Sequence, residues 1–582
     1  MSDFSALTVG LSGLEANQMG LDVVGQNVAN ADTAGYVDEQ LNLSASPMVQ
    51  QSQYAGSASG LPGNGVQVAG VERMSNTFLQ QQSYAAQADQ GTLTAEQTGL
   101  QSIQNNFPDL SGSGVSAELT QLWSDWSNLA NNPSSQPTRA TLVQDATSLT
   151  SSLNQTYSAL SALSSQTVQD VTTTLQQVNQ YAKQIASLNQ QILAAGSGST
   201  SVADLQDQRD AIISKLSKDL GVTVGYNSNG TANVYSGTEA LVSGSSYQAL
   251  SVANTTTSGG AAYSLVWSQD GSSYQPSSGS VAGMLEVANT YVPQYQGSLD
   301  QVAQSLAGSV NYLMSTGYDL NGNPGQPFFL GTGASNIEVN PKVAADPSLI
   351  AAASTPVQAG STASSAPATS TTITSSNDTL NYMLGTASET LTIPAGAYSP
   401  SLLAAALQSA SGGNLTATIN ASGDLALAGA GGQAVSVTGG DAASALGFLV
   451  ASNQDGAVAA SVGELPNTQN VTISVPSGGW QSGISATGWT AGATQSSGTE
   501  ADYAFNQLVT SVGQATSNVN AGLANQQAVT TNINSALQSA TGVNTDQEMT
   551  NMVMYQNAYD ASAKFISTVQ TVLSSLISMV HG

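Results

Sequence analysis

The sequence has no cysteine, one histidine and only eight lysine or arginine residues among 582. Without cysteine, a disulfide, a thiolate metal site and a cysteine nucleophile are all excluded. The histidine, His581, stands one residue from the C-terminus, so neither a Ser-His-Asp triad in a rigid interior nor a His/Cys metal cluster can be built. We therefore expect no catalytic residue, no metal, no cofactor and no enzymatic activity.

Positive charge is scarce, and charge of either sign makes up only 8% of the chain. The 36 acidic residues give a formal net charge of −28. Nucleic-acid binding needs clustered basic side chains that neutralise phosphates, and docking on anionic membranes needs the same. Both partners are therefore unexpected, and the neutral polar surface favours broad contacts with other proteins.

Long hydrophobic runs are missing as well. No stretch of about 18 apolar residues exists, so the sequence predicts no membrane span. The first 20 residues lack both a basic region and a long apolar core, which predicts that they are not a Sec-type signal peptide. Composition alone leaves the cytosol and export by another route equally open.

Two kinds of motif could suggest a ligand site, and both fail on spacing. The glycine-rich tracts at 112–116 and 429–433 lack the strand–turn–helix context of a phosphate-binding loop. In the segment 317–329, Asp319, Asn321 and Asn323 resemble the first ligands of a calcium loop. Pro324 replaces the turn glycine, however, and Leu330 replaces the bidentate glutamate. We interpret this segment as an Asx-rich surface turn.

The two ends of the chain carry amphipathic helical patterns. An N-terminal stripe comprises Leu7, Leu11, Leu14, Leu21, Val24 and Val28. A C-terminal seam alternates spacings of three and four over four heptads and comprises Met552, Tyr555, Tyr559, Ile566, Val569, Leu573, Leu576 and Val580. Each stripe is too small to stabilise an isolated helix, so each needs the other or a neighbouring subunit.

The middle of the chain alternates between helical and β-rich segments. A long low-charge helix is predicted at about 138–194, with polar Asn189 on its apolar seam, and strands follow at 222–267. Residues 353–380 form a Ser/Thr/Ala/Pro-rich tract that we interpret as a linker. A β-rich module with one helix is expected at 380–460, and more strands at 461–495.

Residues 6–36 resemble the N-terminal signature of the flagellar rod, hook and hook-associated axial proteins. The residues that carry the resemblance are Asn27, Val28, Ala29, Asn30, Thr33, Gly35 and Tyr36. Ala34 stands where that family often has proline, and Val37, Asp38 and Glu39 depart from its usual continuation. Residues 543–579 are similar to the C-terminal motif of the same family, and the version Tyr555–Ala563 favours a hook-associated junction subunit over hook or rod subunits.

The resemblance covers roughly 1–353 and 500–582 and implies a multidomain α+β fold. Its parts would be paired coiled-coil-like terminal helices, a helical bundle middle domain and β-rich outer domains. The boundaries that we expect are 1–60 with 543–582 for the terminal helices, 61–220 with 281–316 and 500–542 for the helical domain, 221–280 for a β-rich segment, 317–353 for a loop region and 354–499 for a β-rich outward insertion.

The function implied is that of a structural subunit of the bacterial flagellum that forms the junction ring between hook and filament. The implied partners are identical copies, the hook protein, a second hook-associated junction protein, the flagellin side of the filament and a chaperone for the C-terminal helix. The implied location is extracellular, after flagellar type III export without a cleaved signal peptide. The terminal helices of this family order on assembly.

Two alternatives remain open from the residues alone. A hook or rod subunit of the same family would share both terminal motifs. A secreted adhesin or surface-layer protein would fit the Ser/Thr/Gly-rich composition and the β-rich modules, but it would leave the two terminal stripes unexplained.

Overall fold

The computed structural model describes most of the chain. The described residues are 2–33, 35–46, 65–107, 114–196, 200–257, 260–354, 360–362, 370–385, 387–421, 423–433, 435–448 and 501–581. The strands that the sequence predicts at 461–495 lie outside these residues. Among the described residues, no helix is long and apolar enough to cross a membrane.

The chain forms two compact units, each assembled from segments that are distant in sequence. Unit 1 comprises Met1–Gln101, Ser164–Tyr291 and Ala515–Gly582. Unit 2 comprises Ser102–Leu163 and Val292–Gln514.

The helices include several that are far longer than average for a soluble protein. They are α1 (Ser2–Asn30), α2 (Thr77–Asn105), α3 (Val115–Asn131), α4 (Gln136–Ala195), α5 (Thr200–Asp219), α6 (Ser280–Glu286), a π-helical turn (Val287–Tyr291), α7 (Val292–Ser315), α8 (Pro341–Ala345), α9 (Pro400–Ala410), α10 (Ala501–Thr541) and α11 (Thr545–His581). Helix α4 alone has 60 residues, and the sequence carries neither proline nor glycine between Thr138 and Ala195 to break it.

The strands of unit 1 form three small antiparallel sheets. They are β1 (Glu39–Ala45) with β2 (Val66–Arg73), then β3 (Thr223–Tyr226), β4 (Ala232–Ser236), β5 (Glu239–Ser243) and β6 (Ser246–Tyr247) in that spatial order, and β7 (Leu250–Thr257), β8 (Gly260–Trp267) and β9 (Ser273–Tyr274) in that order. Within the second and third of these sheets, each strand pairs with its sequence neighbour across a short connection, as expected for hairpins.

The strands of unit 2 are short, and some pair with distant segments. They are β10 (Phe329–Leu330), β11 (Glu338–Val339), β12 (Gly360–Thr362), β13 (Thr371–Ile373), β14 (Thr379–Leu384), β15 (Ala387–Thr392), β16 (Gly396–Tyr398), β17 (Leu415–Ile419), β18 (Leu425–Gly429) and β19 (Val435–Gly439). Their sheets have the orders β10-β11, β12-β18-β17, β13-β16 and β15-β14-β19. The predicted class, α+β with long terminal helices and several β-rich parts, is confirmed.

The core of unit 1 lies between the second half of α4 and the sheet of β3 to β6. Helix α4 contributes buried Val171, Leu175, Val178, Ala182 and Ile185, at the spacing of one helical face. The hairpins contribute apolar residues from their inward faces: Val224, Val234, Leu241, Val242, Leu250, Leu265 and Trp267. The period of α4 therefore decides which face the sheet covers.

Asn189 explains the polar position on that face. It is 0% exposed. Its Nδ2 donates to the carbonyl oxygens of Ala232 (2.7 Å) and Gly244 (2.8 Å), and its Oδ1 accepts from the backbone N–H of Ala232 (3.0 Å). The side chain therefore satisfies three backbone groups where two hairpins meet the helix.

In unit 2, an arginine and an asparagine hold irregular backbone against helices. Arg139 is 0% exposed and donates to the carbonyl oxygens of Pro133 (2.7 and 2.9 Å) and Ile350 (2.6 Å). Burial lowers the pKa of Arg139 to about 10. Asn311 accepts from the N–H groups of Phe328 and Phe329 and donates back to the carbonyl of Phe329. The segment between α7 and β10 is thus fixed by side chains rather than by a sheet.

The Asx-rich segment is a turn, but its anchoring carboxylate is not on the surface. Asp319 is 1% exposed, and its Oδ1 accepts from the N–H groups of Asn321 and Asn323, both at 2.8 Å. The expectation of a surface turn is therefore wrong for Asp319. Its oxygens serve the backbone of the turn, which is the usual role of aspartate in an Asx turn.

The interpretation of 353–380 as a linker is also wrong in part. Gly360–Thr362 pairs with β18 and Thr371–Ile373 pairs with β16. Both strands belong to a small β-rich module with its own core, in which Leu380, Leu403 and Leu427 are almost fully buried. Serine- and threonine-rich strands carry no hydrophobic alternation, so pairing with distant strands decides their structure.

We predict that Asn189→Leu destabilises unit 1 by about 3 kcal/mol, because it leaves three buried backbone groups without partners. Urea unfolding, followed by hydrogen exchange in β4 and β5, measures the loss. Gln190→Leu changes the exposed neighbour on the same helix and should shift stability by less than about 0.5 kcal/mol. Equal unfolding midpoints for the two variants would contradict this role of Asn189.

Candidate functional site

The first and last helices of the chain pack side by side and run antiparallel. The approach is marked by Gly10 against Ile566, Gly13 against Ser562 and Gly20 against Tyr555, so the residue number rises along α1 as it falls along α11. Asn17 adds a hydrogen bond from its Nδ2 to the hydroxyl of Ser562, at 3.4 Å.

Small residues on α1 allow this close approach. Gly10, Ala16 and Gly20 are buried. A β-carbon at Gly20 would lie 2.7 Å from the Tyr555 ring, and one at Gly10 would lie 2.7 Å from Cγ1 of Ile566. Either atom would be inside van der Waals contact, so glycine is required at both positions for the helices to keep this distance.

The predicted N-terminal stripe surrounds these glycines. Val24 is 3% exposed, Leu7, Leu14, Leu21 and Val28 are half-buried, and Leu11 is 47% exposed. The most buried positions that the stripe omits are Gly10, Ala16, Gly20, Val23 and Asn27. The signal for the small ones is the recurrence of Gly10, Gly13, Ala16 and Gly20 every three to four positions, which a search for large apolar side chains overlooks.

The predicted C-terminal seam faces α1 along most of its length. Met552, Tyr555, Tyr559, Ile566, Val569 and Leu573 are half-buried, whereas Leu576 is 41% exposed. The side chain of Val580 lies outside the described residues. The pairing therefore covers the seam from its start to about Leu573.

A second apolar line on α11 is left largely exposed, although the Phe565 ring within it lies against Gly10 of α1. Met554, Phe565, Val572 and Met579 are 54%, 46%, 53% and 73% exposed, respectively. They stand eleven or seven residues apart, which places them on one face of the helix, about a quarter turn from the seam. We call this line the outer stripe.

At the base of the helix pair, Asn27 joins three chain segments. Its Oδ1 accepts from the hydroxyl of Tyr36 (2.9 Å) and from the N–H of Glu39 (3.1 Å). Its Nδ2 faces the carbonyl oxygen of Glu39 (2.8 Å), Oδ1 of Asp38 (2.9 Å) and Oε2 of Glu548 (3.0 Å). We call this group, Asn27 with Tyr36, Asp38, Glu39 and Glu548, the clasp.

The other residues of the N-terminal motif shape the turn that leads into the clasp. Asn30 donates to the carbonyl of Gln26, and Thr33 donates to Oδ1 of Asn30. Gly35 has φ +86°, in the left-handed region that favours glycine, and Ala29 is exposed. This turn returns the chain so that Tyr36 reaches Asn27.

An ion-pair network on β2 and α5 lies against the clasp. Arg73 pairs with Asp207 (2.5 Å) and Asp210 (3.0 Å), and Arg209 pairs with Asp210 (3.0 Å). Burial raises the pKa of Glu39 to about 7 and that of Asp207 to about 6, and neighbouring carboxylates add to both shifts. Burial also raises the pKa of the Tyr36 hydroxyl.

This arrangement can hold two helices together. Within the described parts of the chain, no group of three His, Cys, Asp or Glu residues is placed to hold a metal ion. A cleft of about 470 Å³ lies beside the network, but the two arginines that line it are already paired with Asp207 and Asp210. The geometry is that of a packing site.

Three sequence models of known families match this chain. Residues 100–329 match the flagellar hook-associated protein FlgK helical domain, residues 535–579 match the C-terminal region of the flagellar basal body rod FlgEFG proteins, and residues 7–36 match the flagella basal body rod protein. All three models describe flagellar rod, hook or hook-associated proteins, and they match both ends and the middle of the chain.

Curated relatives within this flagellar family are hook-associated proteins. The chain is 31% identical over 334 residues to flagellar hook-associated protein 1 of Salmonella typhimurium. This alignment covers 56% of this chain and 59% of that relative. It is 29% identical over 245 residues to the protein of that name from Bacillus subtilis, covering 42% and 48% of the two chains. The alignments thus span about three fifths of the length of the first relatives, 59% in Salmonella typhimurium.

A solved structure from the same family shares the fold. The flagellar hook junction protein FlgK from Burkholderia pseudomallei superposes with a TM-score of 0.52 at 20% identity. The match covers 79% of this chain and all of that one.

We predict opposite effects for two glycine substitutions in α1. Gly20→Ala forces a β-carbon against the Tyr555 ring and should weaken the helix pair by about 1–2 kcal/mol. In Gly25→Ala the new β-carbon meets no atom within 4 Å, so the variant should gain about 1 kcal/mol from helix propensity. Hydrogen exchange along α1 and α11 measures both effects. An equal gain of protection in the two variants would refute the close packing at Gly20.

Proposed function

We propose that this chain is a structural subunit of the bacterial flagellum that forms the junction ring between hook and filament. The observation that carries the proposal is the pair of terminal helices with an uncovered outer stripe on α11. The names of the curated relatives and of the structural neighbour support the same role. No catalysis forms part of it.

The outer stripe supports contact with a second copy of this chain. Its four side chains are between 46% and 73% exposed, and covering the exposed part would contribute about 1 kcal/mol per residue. In a ring, every subunit offers the stripe to one neighbour and accepts the stripe of the other, so the contact repeats around the circle. Because the contact is repeated at every subunit, a binding free energy of a few kilocalories per mole at each contact is sufficient for a stable ring.

Assembly also accounts for the uneven attachment of the two helices. Near the clasp, α1 and α11 are joined by buried hydrogen bonds, whereas towards Met579 the exposure of apolar side chains on α11 reaches 73%. We propose that the ends beyond the clasp become fully ordered only when neighbouring subunits cover them. The terminal helices, 1–60 with 543–582 in the proposed division, would then line the inner tube, and the β-rich part of 354–499 would project outward.

Further partners follow from a junction position. The ring would contact the hook protein on one side, and a second hook-associated junction protein and the flagellin filament on the other. Before export, a chaperone would cover the C-terminal helix, because its exposed apolar outer stripe favours aggregation in solution. The chain would reach the cell exterior through the flagellar type III apparatus.

A hook or rod subunit is the second candidate, since the two terminal matches are to rod-protein families. Those terminal regions are shared across the flagellar axial proteins. The match over 100–329 is to the helical domain of a hook-associated protein, and this favours the junction role.

We predict that Val572→Asp prevents incorporation into the flagellum without unfolding the chain. Val572 is 53% exposed, so the charge costs little in the single subunit but would be buried at the contact. Ser574→Asp adds the same charge on the polar face of α11 and should assemble normally. Immunolabelling of sheared flagella, with the exported amount measured in the medium, separates the outcomes. Incorporation of Val572→Asp at the control level would sink the outer-stripe contact.

Deletion of this chain in its source bacterium tests the junction role. We expect cells that keep their hooks, lack filaments and shed flagellin into the medium, because the filament has no adaptor on which to start. Electron microscopy and a swimming assay detect this result. Attached filaments and normal swimming would overturn the junction assignment, and loss of the hook as well would favour a hook or rod subunit.

A further inference from the structure

Glu39 is a buried carboxylate whose oxygens have no partner. The residue is 1% exposed, and neither Oε1 nor Oε2 receives a hydrogen bond from the part of the chain that the structure describes. Its backbone N–H and carbonyl are both bonded to Asn27. The main chain of Glu39 is therefore fixed in the clasp while its side chain is left without a donor.

The nearest candidate for a counter-charge is engaged elsewhere. Arg73 stands directly opposite Glu39 in the β1–β2 ladder. Its two terminal nitrogens turn to Asp207 and Asp210 on α5, and its Nε has no hydrogen-bond partner among the described residues. One guanidinium thus serves two aspartates, and Glu39 forms no ion pair with it.

The other groups around Glu39 make the surroundings more negative. Asp38 precedes it on the chain, Asp204 and Asp207 face it from α5, and Asp38 in turn faces Glu548 of α11. Asn27 of α1 and Tyr36 are neutral. Four carboxylates against one arginine leave a net negative pocket, in which an ionised Glu39 is strongly disfavoured.

A proton is the counter-charge that this geometry admits. No three acidic side chains converge on a metal position within the described ranges. A protonated carboxyl is neutral, and its hydroxyl can donate to a neighbouring carboxylate. We propose that Glu39 is the proton-binding residue of the clasp: the clasp closes around a neutral Glu39 and loosens when Glu39 ionises.

The direction of the pH dependence follows from the raised pKa values. The pKa of Glu39 rises from an ordinary 4.5 to about 7 in the closed clasp. Because the pKa is raised in the closed clasp, the stabilisation of the closed clasp is complete below about pH 4.5 and is lost as the pH rises through about 7. Asp207, whose pKa is raised to about 6, acts in the same direction, and so does the raised pKa of Asp38. From pH 5 to pH 8 the equilibrium constant for closing the clasp should fall roughly seventy-fold through Glu39 alone.

Hydrogen exchange on the full chain tests the proposal without any assembled flagellum. Protection is measured in peptides that span 24–40 and 541–552, from pH 5 to pH 8, after correction for intrinsic exchange rates. Wild-type protection should fall by roughly seventy-fold over this range. Glu39→Gln mimics the neutral carboxyl, so its clasp should stay closed at pH 8 and show only the weaker dependence from Asp207 and Asp38.

Glu15→Gln is the matched control, because Glu15 is an exposed carboxyl on α1. It should retain the full pH dependence of the wild type. The proposal is overturned if wild-type protection is flat with pH, if Glu39→Gln keeps the wild-type slope, or if these peptides are unprotected already at pH 5. Because the experiment uses single subunits, failure of the junction role would leave its result unaffected.

Discussion

The contact on which the rest of unit 1 depends is the set of hydrogen bonds around Asn27. One side-chain amide fixes the end of α1, the start of β1 and the start of α11, which are separated by up to 521 residues. An apolar side chain at position 27 could bury area, but it could not set the register of three segments at once. The pairing of the two terminal helices depends on this anchor, because neither terminal helix buries a complete face of its own.

The low charge of the sequence corresponds to the way in which its helices and buried polar groups make contact. Long helices meet through glycine, alanine, serine and threonine, and polar contacts are made by neutral amides such as Asn189 and Asn311 rather than by salt bridges. Neutral amides satisfy backbone groups at a smaller desolvation cost than charges do. The few arginines are correspondingly confined to sites such as Arg73 and Arg139, where several oxygens meet one guanidinium.

Periodicity was sufficient to predict the long helices, because their repeats extend over many turns. The C-terminal seam and the apolar face of α4 are of this kind, and the family motif drew attention to Asn27. The network of Glu39, Arg73 and Asp207 could not be predicted, since these residues are remote in sequence and meet only through tertiary packing. The packing role of Gly10 and Gly20 was not predicted, because a glycine contributes no apolar signal. Strands β12 and β13 were not predicted, because threonine-rich strands show no hydrophobic alternation.

The position of Glu548 has a consequence for quality control. A chain that breaks off before α11 cannot supply the carboxylate that Asn27 faces, nor the Tyr555 ring that covers Gly20. In such a fragment the amide of Asn27 and the face of α1 at Gly20 lose these partners. The contact between α1 and α11 therefore forms only after synthesis has passed Tyr555, so α1 cannot take its final position while the chain is still being made up to that point.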